Sequence, residues 1–185
     1  MLSEKGTFEI DTYPKADYNI YVRFRISFAY GGIRMKSPRA YINEYNQLQK
    51  SCDLLYHSIA ASLGISDCAF WILYIVQDTE GVCKQSDICE SISMSRQTVN
   101  SALKKLEKDG YLTLTKIEGK MGKAIDLTEQ GTRFVTEYIL PVMEAEERAC
   151  LDFSDEEKET FMGLFRRLVD RLSQELAQGG ADAIG

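Results

Sequence analysis

The chain has 185 residues, 44% of them hydrophobic and 27% charged, which suits one globular domain with a buried core. Its longest apolar run, CAFWILYIV, is far shorter than the roughly 20 residues of a membrane helix, and no secretion leader is seen. One histidine and five scattered cysteines provide neither a hydrolytic Ser-His-Asp or Cys-His group nor zinc-ligand spacing. We therefore expect a cytoplasmic protein with no membrane contact, no cofactor or metal, and no catalytic residues.

Charge is distributed unevenly along this acidic chain, whose formal net charge is −6. Residues 84–123 hold eight Lys/Arg and five Asp/Glu, for a net charge of +3. Residues 124–185 hold six and fourteen, for a net charge of −8, and residues 1–83 carry −1. Because local charge decides contact with nucleic acid more than the total does, residues 84–123 are the candidate region for it.

Residues 1–38 form an N-terminal extension with a pattern of its own. From Ile20 to Tyr30 apolar and polar residues alternate, which predicts a strand. A second hypothesis concerns the gene, because GGIRM, Gly31–Met35, can be encoded by a stretch that resembles a bacterial ribosome-binding site followed by a start codon. Translation would then begin at Met35, and peptides from residues 1–34 in native protein would exclude this.

Two helices are expected next. The first runs from Arg39 to about Leu63 and ends at Gly64, because apolar residues recur at three- and four-residue steps. These residues are Tyr41, Tyr45, Leu48, Cys52, Leu55, Ile59 and Leu63. The run from Cys68 to about Asp78 also fits a buried strand by periodicity, but its length and the capping residues before it favour a helix.

A helix-turn-helix unit is expected over residues 84–109. KQSDICESI predicts a short helix, SMS a tight turn, and a second helix begins after Ser95, a good N-cap. Gly110 suits the left-handed position that ends it. The apolar stripe at i, i+3, i+4 and i+7 consists of Val99, Ala102, Leu103 and Leu106. The outer face carries three positive charges and no negative one, and consists of Arg96, Gln97, Thr98, Asn100, Ser101, Lys104 and Lys105.

Residues 112–128 predict a β-hairpin, which we call the wing. Successive residues of the first strand alternate between its two faces. Leu112, Leu114 and Lys116 lie on one face, and Thr113, Thr115 and Ile117 lie on the other. Between the strands lies EGKMGK, whose two glycines favour a turn and whose two lysines make the tip basic.

Two long helices complete the prediction. One opens at Thr128, and Pro141 in its middle should kink or divide it. The other starts at a capping box formed by Ser154 and Glu157, and one side of it is strongly apolar. That side consists of Phe161, Leu164, Phe165, Leu168, Val169, Leu172 and Leu176. So much apolar surface on a terminal helix is usually buried against a partner or another helix, and the tail, residues 177–185, is expected to be disordered.

The order of these elements resembles the MarR family of bacterial transcription regulators (multiple antibiotic resistance regulator). The match is carried by ISMSRQTVNSALKKLEKDGYLTLTKIEGKMGKAIDLTEQG, with its SRQTV helix start, LEKDGYL exit into the wing and LTEQG opening of the long helix. Each piece is short, but their order and spacing together are specific. The resemblance covers residues 39–176 and implies a mainly α fold with a small β-wing, in which N- and C-terminal dimerisation helices flank a winged helix-turn-helix domain.

The resemblance implies that the second helix of the helix-turn-helix reads double-stranded DNA. Arg96 and Gln97 lie in its first turn, where arginine can pair with guanine and glutamine with adenine. The polar residues expected to contact bases or phosphates beside them are Ser95, Thr98, Asn100 and Ser101. The lysines expected to bind phosphates and set the salt dependence are Lys84, Lys104 and Lys105. The alternative is an ordinary solvated helix face.

One departure from the family lies in the wing. Many members carry an Asp-x-Arg motif there, whose arginine reaches a minor groove, but the matching positions hold Gly119 and Met121. Lys120 and Lys123 are then the candidates for DNA contact from the tip.

The resemblance also implies a homodimer built from the first and last helices, a near-palindromic operator, and a repressor that a small aromatic or anionic effector releases. Such effectors bind between the dimerisation helices and the winged domain. Tyr56, Trp71 and Tyr74 would border that cleft, although aromatic residues at helical spacing also serve as core.

Two other functions stay open. A winged helix can act as a protein-interaction module without specific DNA binding, with the acidic C-terminal half as its binding face. Some relatives sense oxidants through a cysteine, which would point to Cys52, Cys83 or Cys89. Because Cys52 and Cys89 sit on apolar faces, buried and unreactive thiols are the competing interpretation.

Overall fold

The computed structural model of this chain describes residues 36–117 and 122–182, with side chains up to residue 178. The predicted strand from Ile20 to Tyr30 and the alternative start at Met35 lie outside these residues. So do Lys120 and the two departures from the wing motif, Gly119 and Met121.

The described chain is mainly helical with one small sheet, which confirms the predicted fold class. The helices of the N-terminal part are α1 (Pro38–Ser62), α2 (Asp67–Asp78), α3 (Gln85–Ser91) and α4 (Arg96–Lys108). The strands are β1 (Cys83–Lys84), β2 (Leu112–Lys116) and β3 (Lys123–Leu127). The C-terminal part contains α5 (Glu129–Phe134), a π-helical segment (Val135–Ile139), α6 (Leu140–Cys150) and α7 (Asp155–Asp182).

The apolar run from Cys68 to Asp78 forms a helix and not a buried strand. This helix, α2, lies at the centre of the core. The side chain of Ser66 caps it by accepting a hydrogen bond from the Ala69 amide at 3.2 Å. Phe70, Ile72 and Leu73 are completely buried. Within residues 36–117 and 122–182 no single helix has the length and apolarity to cross a membrane; α1 and α2 pass that test only as a pair bent by 94°.

The wing hairpin is confirmed, but it belongs to a three-stranded antiparallel sheet in the order β1-β3-β2. Strand β1 was not predicted, because two residues are too short to show alternation. Cys83 pairs with Ile125 in register, and both side chains are buried. The sheet is thereby anchored under α3, at the start of the helix-turn-helix.

The long helix after the wing is divided, as Pro141 predicts. The Leu140 amide bonds the Val135 carbonyl, five residues back instead of four, at the end of the π-helical segment. Proline has no amide hydrogen and its ring excludes the usual carbonyl, so the α-helical ladder cannot pass through this position unchanged.

Helix α7 begins with the predicted capping box, in which the Ser154 amide donates to Glu157 at 2.8 Å and the Glu157 amide donates to Ser154 at 3.2 Å. It ends at Asp182, and so extends into residues 177–185, for which a disordered tail is predicted. Alanine and glutamine in AQGGAD favour continuation of the ladder, although the glycine pair does not.

Helices α1 and α7 leave large apolar side chains exposed. In α1, Leu48 is 50% exposed, and in α7, Phe161 is 64% and Leu176 73% exposed. The two helices meet where the rings of Tyr45 and Phe165 lie 6.0 Å apart, centroid to centroid. A single chain therefore leaves much of both predicted stripes in contact with solvent.

Candidate nucleic-acid interface

Helix α4 is fixed to the core from behind, as its sequence predicts. All four stripe residues, Val99, Ala102, Leu103 and Leu106, are buried. The Ser95 hydroxyl accepts a hydrogen bond from the Thr98 amide at 3.1 Å, which confirms the N-cap. The helix is followed by Gly110 at φ 82°, a backbone conformation that a side chain would strain. The polar face is therefore held rigidly outward.

Several side chains of this face already have partners within the chain. The hydroxyls of Ser95 and Thr98 lie 2.8 Å apart. The Ser101 hydroxyl donates to the Gln97 carbonyl at 2.9 Å, as serine often does within a helix. The Lys105 ammonium lies 2.6 Å from the Asp109 carboxylate, a hydrogen bond that raises the pKa of Lys105. These contacts are solvent-exposed, so a partner can compete for the groups.

Within the outer face of α4, three exposed side chains have no hydrogen-bond or ion-pair partner among the described residues, namely Arg96, Gln97 and Lys104. Arg96 and Gln97 occupy the first turn, and Lys104 lies two turns further along the same face as Arg96. An exposed arginine, glutamine and lysine together offer many donors and one amide acceptor. This set is suited to base edges and phosphates.

Asn100 lies between Arg96 and Lys104 but is half-buried, because it faces α3. Its side-chain carbonyl accepts a hydrogen bond from the side-chain amide of Gln85, the first residue of α3. The bond joins the two helices of the helix-turn-helix across fifteen residues of sequence. Gln85 was not among the predicted site residues, because nothing local in the sequence pairs it with Asn100.

The wing presents two lysines side by side. Lys116 of β2 is directly opposite Lys123 of β3, and both are exposed. Like charges opposite each other in a sheet repel, so this pair favours an anionic partner. From the sequence, Lys116 was assigned only to one face of the strand and was not named as a DNA-contacting residue. Its position within the basic segment, residues 84–123, was the signal that could have identified it. Lys84 is half-buried at the end of β1, where its backbone amide donates to the Asp87 carboxylate at 3.0 Å.

The LTEQG motif has a clear physical role at the junction of α4, the wing and α5. The Thr128 hydroxyl donates to the Gly110 carbonyl at 2.5 Å and accepts from the Gly131 amide at 3.0 Å. The side-chain amide of Gln130 donates to the Asp109 carbonyl at 3.3 Å. The cap of α5 thus also fixes the end of α4, and the motif sets how the wing stands relative to the helix.

The three aromatic residues predicted to bind a ligand lie together and are partly buried. The hydroxyls of Tyr56 and Tyr74 donate to the two oxygens of one carboxylate, that of Glu146, each at 2.5 Å. The Trp71 ring lies between them, with centroids 4.7 Å from Tyr56 and 5.4 Å from Tyr74. Burial, and then the bond to Glu146, raises the pKa of both tyrosines. The cluster therefore connects α1, α2 and α6.

A groove of about 790 Å³ lies elsewhere, between the corner joining α1 to α2 and the side of α4. His57 and Asp67 line one wall, where the imidazole Nδ1 lies 2.9 Å from the carboxylate. Gln97, Ser101 and Lys105 of α4 line the other. The predicted aromatic residues do not line this groove, whereas four predicted DNA-contacting residues do, namely Gln97, Thr98, Ser101 and Lys105.

The cysteines do not match the prediction in every case. Cys68 and Cys83 are buried, and burial raises the pKa of both thiols. Cys89 is half-buried, as its apolar face predicts. Cys52 is exposed, so the interpretation that it is buried is wrong for this chain, because its side of α1 is left uncovered.

Comparison with known proteins gives a consistent result. A sequence model of the MarR family matches residues 63–119, from the α1–α2 corner to the wing. A protein of Bacillus subtilis (strain 168) described as an uncharacterized HTH-type transcriptional regulator, YwoH, is 27% identical over 137 residues, which are 71% of this chain and 99% of that protein.

Solved structures show the same fold. A MarR/EmrR family transcriptional regulator from Acinetobacter sp. ADP1 is similar with a TM-score of 0.58 at 22% identity, over 74% of this chain and 96% of that one. MepR of S. aureus, in a complex with DNA, is similar with a TM-score of 0.57 at 17% identity, over 74% of this chain and 99% of the MepR chain. At these identities the likeness establishes the winged helix arrangement.

Proposed function

We propose that this chain is a cytoplasmic, dimeric, sequence-specific DNA-binding repressor of the MarR family that a small molecule releases. The match of residues 63–119 to the MarR family model and the winged helix fold support this proposal. MarR-family regulators are non-enzymatic transcription factors, so the proposal includes no catalytic residues. The observation that carries the proposal is the two-sided character of α4. One side is buried by four apolar residues, and the other exposes Arg96, Gln97 and Lys104 without partners among the described residues.

In this proposal the first turn of α4 enters a major groove. Arg96 pairs with guanine and Gln97 with adenine, and each good pair contributes about 1–3 kcal/mol of discrimination. Lys104 binds a phosphate and positions the helix without reading sequence. The wing lysines, Lys116 and Lys123, bind the backbone beside the groove, with Lys120 at the tip.

The dimer is supported by the exposed apolar side chains of α1 and α7. Burying residues such as Leu48, Phe161 and Leu176 against a second copy removes them from water, which is favourable by about 25 cal/mol per Å². A two-fold dimer presents two copies of α4 to successive major grooves, about 34–36 Å apart, so the operator is a near-palindrome.

For the effector we propose the groove between the α1–α2 corner and α4. A ligand there contacts His57 on the dimerisation side and Gln97 and Lys105 on the reading helix, so it can favour a spacing of the two α4 helices that does not fit DNA. An aromatic or anionic ligand would contact imidazole, ammonium and apolar carbon there, beside the Asp67 carboxylate that His57 engages. We assign the cluster of Tyr56, Trp71 and Tyr74 to linking the helices, since Glu146 engages both hydroxyls.

The test is fluorescence anisotropy with labelled duplex DNA from upstream of the protein's own gene, at several salt concentrations. R96A/Q97A removes the proposed reading residues and should weaken binding to the selected fragment by tenfold or more, because two base contacts are lost. The matched control is R171A/Q174A, which removes the same residue types from α7, where they bond each other at 2.9 Å. It should bind like the wild type.

The salt series separates reading from general attraction. K104A should reduce the slope of log K against log salt concentration by about 0.9, the value for one phosphate contact. Binding that R96A/Q97A leaves unchanged would show that α4 does not read sequence. If no fragment binds at any salt concentration, the proposal fails and a protein-interaction module becomes the better hypothesis.

A further inference from the structure

We infer that Gln85 and Asn100 act as one specificity unit, in which Gln85 fixes Asn100 as a hydrogen-bond donor toward DNA. The inference rests on the proposed function, since it assumes that α4 reads base edges. The observation that carries it is the hydrogen bond from the Gln85 side-chain amide to the Asn100 side-chain carbonyl, between α3 and α4.

The position of Asn100 makes this bond significant for reading. Asn100 is four residues after Arg96 and four before Lys104, so the three form one row along α4. Its neighbours in the row are exposed, whereas Asn100 is half-buried and leans toward α3. Asn100 therefore lies in the middle of the reading face and is bonded by Gln85, which lies outside that face. A bonded asparagine has fewer side-chain orientations available than a free one.

The chemistry of the amide group then decides which bases fit. Asparagine has a carbonyl that accepts and an NH₂ group that donates two hydrogen bonds. A free asparagine pairs with adenine by using both groups side by side. When the carbonyl is directed to Gln85, only the NH₂ group can face DNA. A donor fits the keto oxygens, O6 of guanine and O4 of thymine, and is repelled by the amino group that adenine or cytosine presents at the corresponding place.

Gln85 is therefore a positioning residue, and its substitution should change which base is preferred instead of only weakening binding. In Q85E the side chain can only accept, so the Asn100 amide must turn its NH₂ group inward and its carbonyl outward. In N100D the bond from Gln85 is kept, but the outward group is an acceptor. Both changes replace a donor by an acceptor at the same place, so both should invert the preference from keto to amino bases.

The experiment is selection of binding sites from a duplex library randomised over about 30 base pairs, enough for two half-sites one helical turn apart. Wild type, N100A, Q85E, N100D and the control S86A are each used as full-length protein. Ser86 is the exposed neighbour of Gln85 on α3, and its hydroxyl bonds Asp87 at 3.0 Å. Thermal unfolding of each variant verifies that it folds.

N100A should lose its preference at one base pair in each half-site, which identifies the contacted position. There we expect the wild type and S86A to prefer a keto base, and Q85E and N100D an amino base, each by about tenfold. If Q85E and the wild type select the same base at that position, Gln85 does not set the orientation of Asn100 and the inference is overturned, while the proposed function stands. If the wild type enriches no sequence, the proposed function fails and this inference fails with it.

Discussion

Replacing Gly131 by alanine tests the junction that holds the wing against helix α4. A Cβ atom at this position would lie 1.8 Å from the Tyr111 carbonyl oxygen, 2.8 Å from its carbonyl carbon and 3.3 Å from a methyl carbon of Leu127. Carbon and carbonyl oxygen approach no closer than about 3.3 Å in ordinary contacts. The start of α5 and the base of β2 must therefore separate by about 1.5 Å.

This separation should lower the free energy of unfolding, because it strains the packing at the junction and breaks a hydrogen bond. Overpacking a well-ordered contact costs about 1–3 kcal/mol, and the obstacle here is backbone, which cannot rotate away. The hydrogen bond from the Thr128 amide to the Tyr111 carbonyl, 3.1 Å long, would also be lost at about 1 kcal/mol. Alanine regains up to about 1 kcal/mol of helix propensity. We expect G131A to be less stable than the wild type by about 3 kcal/mol.

Urea unfolding followed by far-UV circular dichroism, at one fixed protein concentration, measures this difference. With a slope of about 2 kcal/mol per molar urea, the midpoint should fall by about 1.5 M. The matched control is G163A in α7, where an added Cβ meets nothing within 4 Å. It should be equal in stability or more stable by up to about 1 kcal/mol. Equal midpoints for G131A and the wild type would refute the close approach at Tyr111.

The remaining predictions concern two partly buried tyrosines and two buried thiols. Y56F and Y74F each remove one hydrogen bond to Glu146 and should cost about 1–2 kcal/mol in urea unfolding. Because the folded-state pKa of both tyrosines is raised above the unfolded value of about 10, their contribution is complete below pH 10 and is lost as pH rises beyond it. The double variant should therefore lose less stability than the wild type above pH 10, and an equal loss would argue against the Glu146 bonds. The thiols of Cys68 and Cys83 should resist a thiol reagent in native buffer and react after unfolding; fast native labelling would contradict their burial.

Local sequence was sufficient for the parts of the site in which neighbouring residues determine the structure. Ser95, the four-residue apolar stripe and Gly110 define where α4 begins, which side is buried and where it ends. Each signal acts within one or two turns of backbone, so it does not depend on how the helix packs. The wing and the division of the long helix at Pro141 were predicted for the same reason.

Contacts between distant residues required the tertiary structure. Gln85 meets Asn100 only because α3 packs against α4, and Tyr56 meets Glu146 across ninety residues of sequence. Strand β1 exists because β3 offers it a pairing partner, since two residues have no pattern of their own.

The sequence by itself determined the class of fold, the bounds of α4 and the side of it that is exposed, because periodicity and capping are local properties of the backbone. Only the tertiary structure decided which polar side chains of α4 have a partner among the described residues, as Asn100 has and Arg96 has not. It also decided that Gly131 must lack a side chain and that Cys52 is uncovered in a single chain. These features depend on distances between elements, which arise from packing of the whole core and not from any one segment.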